Sequence, residues 1–354
     1  MDLPAVSPPD VDARRAAVAR YAELDAPTAG LGKLAEIGVW LAATQGTCPP
    51  RPPARPRVIV LAGDHGVAAA NVSVHAAGTT SAQVEAVREA TAPVAVLAPV
   101  AGTSVRVVDI ALDTDAPEGT AARYRVRRGS GRIDTEDALT VEEVERAVKV
   151  GRDLADEEVD AGADLLVPGS LGVGATTAAA TLVAALTGTE PVAVIGRGSG
   201  VDDNGWMRKA AVVRDALRRA RPHGRDPLTL LRIVGGADLA ALTGFCIQAA
   251  LRRTPVLIDG LAVGAAALLA DSIAPGSRAW WQVAQRSPEP AMAVVVQHLD
   301  LQPLLELDIR LGDGTGAAAV VPLLVMAARL LAEVGTISVP EPEPVADTAA
   351  AAPE

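Results

Sequence analysis

The residues best suited to acid–base chemistry lie in the run Arg310-Leu-Gly-Asp-Gly-Thr-Gly316. Asp313 has a glycine on each side and stands just before an apolar, helix-like segment. A carboxylate among apolar neighbours can have a raised pKa and act as a general base. An aspartate that caps the N-terminus of the helix explains the same pattern equally well. Both interpretations of Asp313 remain open on the motif alone.

Two glycine-rich runs are candidates for phosphate binding: 169–177 (GSLGVGATT) and 196–203 (GRGSGVDD). In the first, glycines let backbone N–H groups approach an anion, and the start of the following helix favours negative charge. In the second, Arg197 or Lys209 could neutralise a phosphate, and Asp203 or the acid before it could bind ribose hydroxyls. Tight turns and helix caps explain both runs without a ligand. Neither Walker A nor the GxGxxG fingerprint is present in the first run.

The His, Cys and Ser residues offer little support for a metal site or a catalytic nucleophile. The run Asp64-His65-Gly66, with His75 further on, lacks the spacing of a helical metal-binding motif, and a hydrogen-bonded turn explains it as well. Cys48 and Cys246 form no CxxC pair. No Ser-His-Asp spacing supports a hydrolase. We therefore predict no metal and no cofactor.

The elements that must position these residues are short β-branched runs alternating with alanine-rich helical stretches. The runs predicted as buried strands are 58–61, 105–108, 165–167, 192–195, 231–234 and 255–258. Six strands separated by helices imply an open, parallel α/β sheet of the doubly wound kind. Several runs end in Gly or Asp, and ligands bind at the carboxyl ends of such strands. These ends, including Asp259 after the last run, outline one candidate site.

The two ends of the chain differ in composition from the rest. Prolines and acids in residues 1–12, and the Pro, Glu and Ala of residues 339–354, predict disordered ends that bury little apolar surface. Apolar periodicity predicts a helix over 31–44, and the proline-rich run 47–56 predicts a stiff linker.

Composition narrows the classes of partner. The chain has 354 residues, a formal net charge of −11 and two cysteines, and it is 49% hydrophobic but only 2% aromatic. The acidic balance argues against nucleic acid, which needs clustered Lys and Arg. The most apolar stretch, 316–328, contains Pro322 and ends at Arg329, so no membrane span is expected. With no basic, signal-like N-terminus, a cytoplasmic location is expected.

Taken in order, six motifs resemble the nicotinate-nucleotide:dimethylbenzimidazole phosphoribosyltransferase family: 61–67, 107–113, 172–177, 196–203, 255–260 and 310–316. The resemblance covers about residues 31–337. It implies a Rossmann-like large domain over 57–316 with the active site, and a small helical domain from 13–56 with 317–338. It also implies a homodimer whose sites lie near the subunit boundary.

The resemblance implies a defined reaction. Members of that family transfer the 5-phosphoribosyl group of nicotinate mononucleotide to a benzimidazole, giving nicotinate and α-ribazole 5′-phosphate for the lower ligand of cobalamin. Nicotinate leaves from a pyridinium, so the chemistry needs a base for the azole proton and neither a metal nor a general acid.

By the same resemblance, Asp313 matches the catalytic base, which is normally Glu in that family. The positions implied for base binding are His75, Gln83, Ser170, Leu171 and Leu311. Those implied for the nucleotide and its phosphate are Gly172, Gly174, Lys209 and Ser287. From the glycine-rich runs and the strand ends we add Thr176, Gly198, Gly200, Asp203 and Asp259 to the nucleotide side.

Four positions depart from the family pattern. Asp313 and Ser170 stand where Glu is usual, Ala175 stands for Asn and Gln285 for His. Aspartate shortens the reach of the base by roughly 1.5 Å, and misplacement on that scale can cost ~10²-fold in rate. The sequence therefore leaves two hypotheses: an active transferase, and a non-catalytic relative or partner subunit that binds nucleotide or base. A dinucleotide oxidoreductase is disfavoured because no GxGxxG with a later acid is found.

Overall fold

A computed structural model describes residues 3–25, 28–115 and 123–336 of the chain. Its sheet has six strands: β1 (Pro56–Gly63), β2 (Ser104–Ala111), β3 (Leu165–Leu171), β4 (Val256–Ile258), β5 (Trp281–Gln285) and β6 (Pro303–Leu305). The strand order is β2-β1-β3-β4-β5-β6, and every neighbouring pair is parallel. The predicted parallel six-stranded α/β fold is confirmed.

The helices of the described residues flank this sheet. They are α1 (Val11–Glu23), α2 (Thr28–Leu31), α3 (Lys33–Gln45), α4 (Thr79–Arg88), α5 (Pro93–Val100), α6 (Val141–Asp160), α7 (Ala175–Thr187), α8 (Pro191–Val194), α9 (Asp203–Ala220), α10 (Pro227–Val234), α11 (Ala237–Leu251), α12 (Gly260–Ile273), α13 (Pro290–Leu299), α14 (Thr315–Ala318) and α15 (Val321–Glu333). The helix predicted over 31–44 corresponds to α3.

Two of the predicted strands were wrong. Residues 192–195 lie mostly in α8, and residues 231–234 form the last turn of α10. Proline at the first position starts each helix, and the Asp226 side chain caps α10 by accepting from Thr229 N–H at 2.8 Å. The sheet instead contains β5 and β6. The sequence analysis missed these two strands because both are short and contain few β-branched residues.

Alternating side chains of β1 serve two hydrophobic cores, one on each face of the sheet. Ile59 and Leu61 belong to a core formed with α6, α7 and α9 to α13. Val58 and Val60 belong to a second core formed with α3, α4, α5 and α15. This period of two places each successive residue on the opposite face. The whole strand is therefore covered by helices on both sides, as a parallel sheet requires.

The N-terminal and C-terminal helices come together on the second face. Tyr21 of α1, Ala35 of α3 and Leu331 of α15 share a small core of their own. The Arg20 side chain also donates to the Leu331 carbonyl at 2.6 Å. The division of the chain into a large and a small domain at residue 56 stays a prediction. Residues 339–354, predicted to be disordered, lie outside the described residues.

Residues 3–10 differ from the predicted disorder of residues 1–12. Leu3 and Val6 pack against the larger core, and the Trp280 indole N–H donates to the Ser7 carbonyl at 2.8 Å. Asp10 then caps α1 by accepting from Ala13 N–H at 2.7 Å, so α1 already includes Val11. The segment buries more apolar surface than its proline content suggested.

Residues 315–333 are apolar and long enough to cross a membrane by length and composition. In the fold they form α14 and α15, and 56% of the segment's most apolar window is buried inside the protein. Leu324 and Ala328 of α15, for example, lie in the core on the second face of the sheet. The apolar side chains of this segment thus pack in the hydrophobic core.

Candidate active site

The carboxyl ends of the central strands open into a cavity of about 280 Å³. Residues after β3 form one wall, the loop before α14 forms another, and the turns after β4 and β5 close the far side. The predicted site residues that line the cavity are His75, Gln83, Ser170, Leu171, Gly172, Gly174, Thr176, Gly198, Gly200, Ser287, Leu311 and Asp313. The predicted residues that do not line it are Asp203, Lys209 and Asp259.

Asp313 is held at one end of the cavity and is only 4% exposed. Its Oδ1 accepts a hydrogen bond from Thr315 N–H at 3.0 Å, while Oδ2 has no partner among the described residues. The Gly312 carbonyl accepts from Ser170 N–H at 2.9 Å, which fixes the loop against β3. A Cβ on Gly169 would lie 2.3 Å from the Asp313 carbonyl oxygen, so this contact requires glycine. One carboxylate oxygen is therefore free to accept a proton.

Asp259 lies directly behind this loop and is fully buried. Its carboxylate accepts from Gly316 N–H at 2.9 Å, from Ala317 N–H at 3.3 Å and from Gln285 Nε2 at 3.3 Å. Burial raises the pKa of Asp259 to about 6, the Asp313 charge adds to the rise, and the hydrogen bonds oppose it. Asp259 thus holds the loop that carries Asp313, and its role toward a nucleotide stays a prediction.

The residues predicted for base binding line the same cavity as Asp313. Ser170 and Leu171 come from the end of β3, Gln83 from α4, and Leu311 from the Asp313 loop. Leu311 is 53% exposed, so an apolar side chain stands at the mouth. His75 lies on the loop before α4. Leucine side chains beside polar groups suit a flat, partly apolar base.

A further part of the cavity wall consists mainly of backbone atoms of the turn after β3. Gly174 precedes the 13-residue helix α7 with a φ of +94°, and no side chain caps the helix there. A Cβ on Gly172 would lie 2.1 Å from the Gly63 carbonyl oxygen, so the turn after β3 passes close to β1. Ala175 N–H and Thr177 N–H donate to the Gly172 and Gly174 carbonyls, and the positive end of the α7 dipole favours an anion beside them. Thr176 and Ser287 add hydroxyl groups to the same wall.

Lys209 of α9 lies behind the cavity wall and is only 1% exposed. A Cβ on Gly198 would lie 2.9 Å from Lys209 Nζ, so the amine sits directly behind that glycine. Burial lowers the pKa of Lys209, and the nearby Glu289 carboxylate partly opposes this effect. The amine makes no hydrogen bond within the described residues, and its predicted role toward the phosphate stays a prediction.

Glu289 is a site residue that the sequence analysis did not identify. It lines the cavity, is 4% exposed, and accepts from Gly198 N–H at 2.9 Å through Oε1. The run Ser287-Pro288-Glu289 after an apolar segment was the available signal, but β5 had not been recognised as a strand. Without β5, nothing placed Glu289 at the end of a strand.

Asp203 is turned away from the cavity. Its side chain is 87% exposed and pairs with Arg197 at 2.6 Å. The preceding Asp202 caps α9 by accepting from Gly205 N–H at 2.7 Å. Asp202 is therefore a helix cap and Asp203 lies on the exposed first turn of α9, while the role of Asp203 toward a nucleotide stays a prediction.

The Asp64-His65 pair supports the phosphate-side turn from outside. Asp64 accepts from the Thr80 hydroxyl, and Thr80 Oγ1 accepts from Val173 N–H at 3.2 Å. His65 Nε2 pairs with Asp238 at 3.1 Å. Burial lowers the pKa of His65, but the Asp238 carboxylate outweighs it, so the pKa lies above its ordinary value. Within the described residues, no cluster of three His, Cys, Asp or Glu side chains could hold a metal ion.

A buried carboxylate, a helix N-terminus and a buried lysine behind one cavity suit the transfer of a phosphorylated group between two rings. A family model described as "Phosphoribosyltransferase" matches residues 6–339, so the chain is an enzyme of the phosphoribosyltransferase class.

Similar proteins define the family more closely. A nicotinate-nucleotide–dimethylbenzimidazole phosphoribosyltransferase of Mycobacterium avium (strain 104) is 54% identical over 338 residues, covering 96% of this chain and 97% of that protein. The enzyme of the same name from Mycobacterium tuberculosis (strain H37Rv) is 52% identical, covering 94% and 92%. The crystal structure of CobT from Thermus thermophilus has a TM-score of 0.87 at 39% identity, covering 92% and 97%. The chain belongs to the nicotinate-nucleotide–dimethylbenzimidazole phosphoribosyltransferase family.

Proposed function

We propose that this protein transfers the 5-phosphoribosyl group of nicotinate mononucleotide to 5,6-dimethylbenzimidazole or a related base, giving α-ribazole 5′-phosphate and nicotinate. The observation that carries the proposal is the buried Asp313, which lines the cavity with Oδ2 free of hydrogen bonds among the described residues, together with Lys209 behind Gly198 of the same cavity. The family to which the chain belongs supports an active transferase over a non-catalytic relative.

The reaction requires one proton acceptor. The lone pair of one azole nitrogen forms the new bond to C1′, and the bond from C1′ to the pyridinium nitrogen breaks with its electrons going to nicotinate. The proton on the other azole nitrogen passes to Asp313 Oδ2. Attack opposite the leaving group inverts C1′ from β to α. The start of α7 and Lys209 would bind the 5′-phosphate and align C1′ with the base.

A nicotinate-release assay tests the proposal. Purified protein is given nicotinate mononucleotide with dimethylbenzimidazole and a panel of other azoles and phenols. Release must depend on an acceptor, and Asp313→Asn should slow it by about 10²- to 10⁴-fold, the usual contribution of a general base. Calorimetry should find nucleotide binding within a few-fold of wild type.

The matched control is Asp300→Asn, since Asp300 is exposed at the end of α13. It should release nicotinate at the wild-type rate. Nucleotide binding with no nicotinate release from any acceptor would instead support the binding-only relative.

We further propose that the protein works as a homodimer in the cytoplasm. Val96, Leu97 and Val100 of α5 are exposed, and Val100 is 81% exposed, as expected of a helix that a second subunit covers. Cys48 and Cys246 are both unpaired, which fits a reducing compartment. Light scattering during gel filtration should give twice the mass of the chain, and Val100→Asp should shift it toward the monomer.

A further inference from the structure

Glu289 is a buried carboxylate on the cavity wall that the transfer chemistry does not use. It stands directly before α13, and its Oε1 accepts from Gly198 N–H at 2.9 Å. Its Oε2 has no hydrogen-bond partner among the described residues. A Cβ on Gly196 would lie 2.0 Å from Oε2, so the glycine-rich loop wraps closely around the carboxylate. A buried, charged group with a free oxygen is costly unless it offsets another charge.

Lys209 is a buried cation whose charge Glu289 stabilises through space. Both side chains are almost wholly buried, and both reach the same short loop, one through the Gly198 N–H and the other behind the Gly198 α-carbon. Burial lowers the pKa of the Lys209 amine, and the Glu289 carboxylate works in the opposite direction. A buried lysine that lost this carboxylate would more readily become neutral.

Few other charged groups lie near Lys209 and Glu289. Arg310, from the loop that carries Asp313, approaches Glu289 Oε1 at 3.9 Å. Thr176 of α7 is the neutral neighbour on the remaining side, and Asp203 of α9 turns outward to Arg197. Among the described residues, Glu289 is therefore the carboxylate in a position to hold the charge on Lys209.

We propose that Glu289 is a positioning residue of the phosphate end of the site: it fixes the Gly198 backbone and keeps Lys209 protonated for the 5′-phosphate of the nucleotide. The identity of that nucleotide rests on the proposed function. Glu289 touches neither the phosphate nor the reacting atoms in this role. Its loss should weaken nucleotide binding increasingly as the pH rises, with little effect on the maximal rate.

The pH dependence of nucleotide binding separates this role from a structural one. Calorimetry measures the Kd for nicotinate mononucleotide between about pH 7 and about pH 10, above the second ionisation of a phosphate near 6. In Glu289→Gln the amide oxygen can still accept from Gly198 N–H, but the charge is gone. The pH above which affinity falls should therefore move down by about one unit or more, the usual effect of removing an opposite charge at close range.

Three further variants complete the test. Glu306→Gln removes a carboxylate of an exposed pair with Arg286 and should leave the profile unchanged. Glu289→Asp keeps the charge but shortens the reach to Gly198, so it should bind more weakly at every pH without moving the break. Lys209→Met should bind weakly with no such break. Circular dichroism and thermal melting confirm that each variant folds.

The outcomes are distinct from those of the proposed function. If Glu289→Gln has the wild-type profile, or if Glu289→Asp moves the break as far as Glu289→Gln does, the inference is overturned even where nicotinate release is normal. If the break moves as expected while no acceptor releases nicotinate, the inference stands and the proposed transfer fails.

Discussion

At the scale of single residues, two neighbouring buried aspartates, Asp313 on the loop before α14 and Asp259 after β4, differ because their oxygens have different partners. Asp313 lines the cavity, and its Oδ1 accepts from Thr315 N–H, whereas its Oδ2 makes no hydrogen bond among the described residues. Asp259 faces the N–H groups of Gly316 and Ala317 and the Gln285 amide, and it has no exposed surface. The first can exchange a proton with a substrate, whereas the second serves to hold the loop.

The raised pKa of Asp259 predicts a pH-dependent cost to folding. Its folded value of about 6 lies above the value of about 4 expected in the unfolded chain, so the folded state holds the proton more tightly. Between these two values the stability of the wild type therefore falls as pH rises, by about 2–3 kcal/mol, and above about 6 the loss is complete. Asp259→Asn cannot titrate, so it should lack this component.

Urea unfolding from about pH 4 to about pH 7 measures the effect as the difference in the free energy of unfolding between wild type and Asp259→Asn. Subtracting the two curves removes the titration of groups that do not interact with Asp259, and leaves its coupling to Asp313 in the difference. The exposed Asp300→Asn should run parallel to the wild type. A difference between wild type and Asp259→Asn that does not vary with pH would show that Asp259 does not titrate in this range.

At the scale of elements, glycines set how closely α6 and α11 pack. A Cβ on Gly151 of α6 would lie 1.8 Å from the Ala241 carbonyl oxygen of α11. A Cβ on Gly244 of α11 would in turn lie 2.1 Å from the Val148 carbonyl oxygen of α6. The two backbones are thus in mutual contact, which only the absence of side-chain atoms permits. A chain rich in small residues and poor in aromatics suits this arrangement.

Gly151→Ala tests this contact. In an exposed helix alanine would stabilise by up to about 1 kcal/mol, but here the added methyl must push two helices apart. We expect a net loss of about 2 kcal/mol or more in the free energy of unfolding, as overpacking of a tight core usually costs. Gly30→Ala in α2 meets no atom within 4 Å and should not destabilise the protein. A Gly151→Ala variant as stable as wild type would show that α6 and α11 can separate freely.

At the scale of the whole molecule, segments distant in sequence cover the sheet and its helices. The N-terminal residues 3–10 lie against Trp280 and the larger core, while α3 and α15 cover the opposite face. The site lies at the carboxyl edge between these layers, where turns after β3, β4 and β5 meet. Its geometry therefore depends on contacts made over the full length of the chain.

Removal of residues 1–9 should lower stability without reaching the site. It takes away the acceptor of the buried Trp280 N–H, worth about 1 kcal/mol, and the apolar contacts of Leu3 and Val6, about 1 kcal/mol more. Thermal melting should show a fall of a few degrees, with nucleotide affinity unchanged. Ser7→Ala keeps the accepting carbonyl and should melt as wild type does. An unchanged melting temperature in the truncated protein would mean that residues 1–9 contribute no stability.

Much of the site could be predicted from sequence because its backbone-forming residues are contiguous. The runs 169–177 and 310–316 each hold a turn that glycine makes possible, and both line the cavity. Side chains that come from other parts of the chain were harder to predict. Glu289 depends on β5, a strand without clear periodicity, and Asp259 was expected to bind nucleotide because it follows a strand.

The sequence by itself determined the class of fold, the family and the loops of the site, because ordered motifs and strand ends are local features. Only the tertiary structure decided which apolar runs became strands: 192–195 and 231–234 are helical, and 281–285 and 303–305 complete the sheet. It also decided that Asp203 turns outward, that Asp259 holds a loop and that Glu289 and Lys209 both lie beside Gly198. A short apolar run fits a helix or a strand equally well, and a side chain's direction depends on what packs against it.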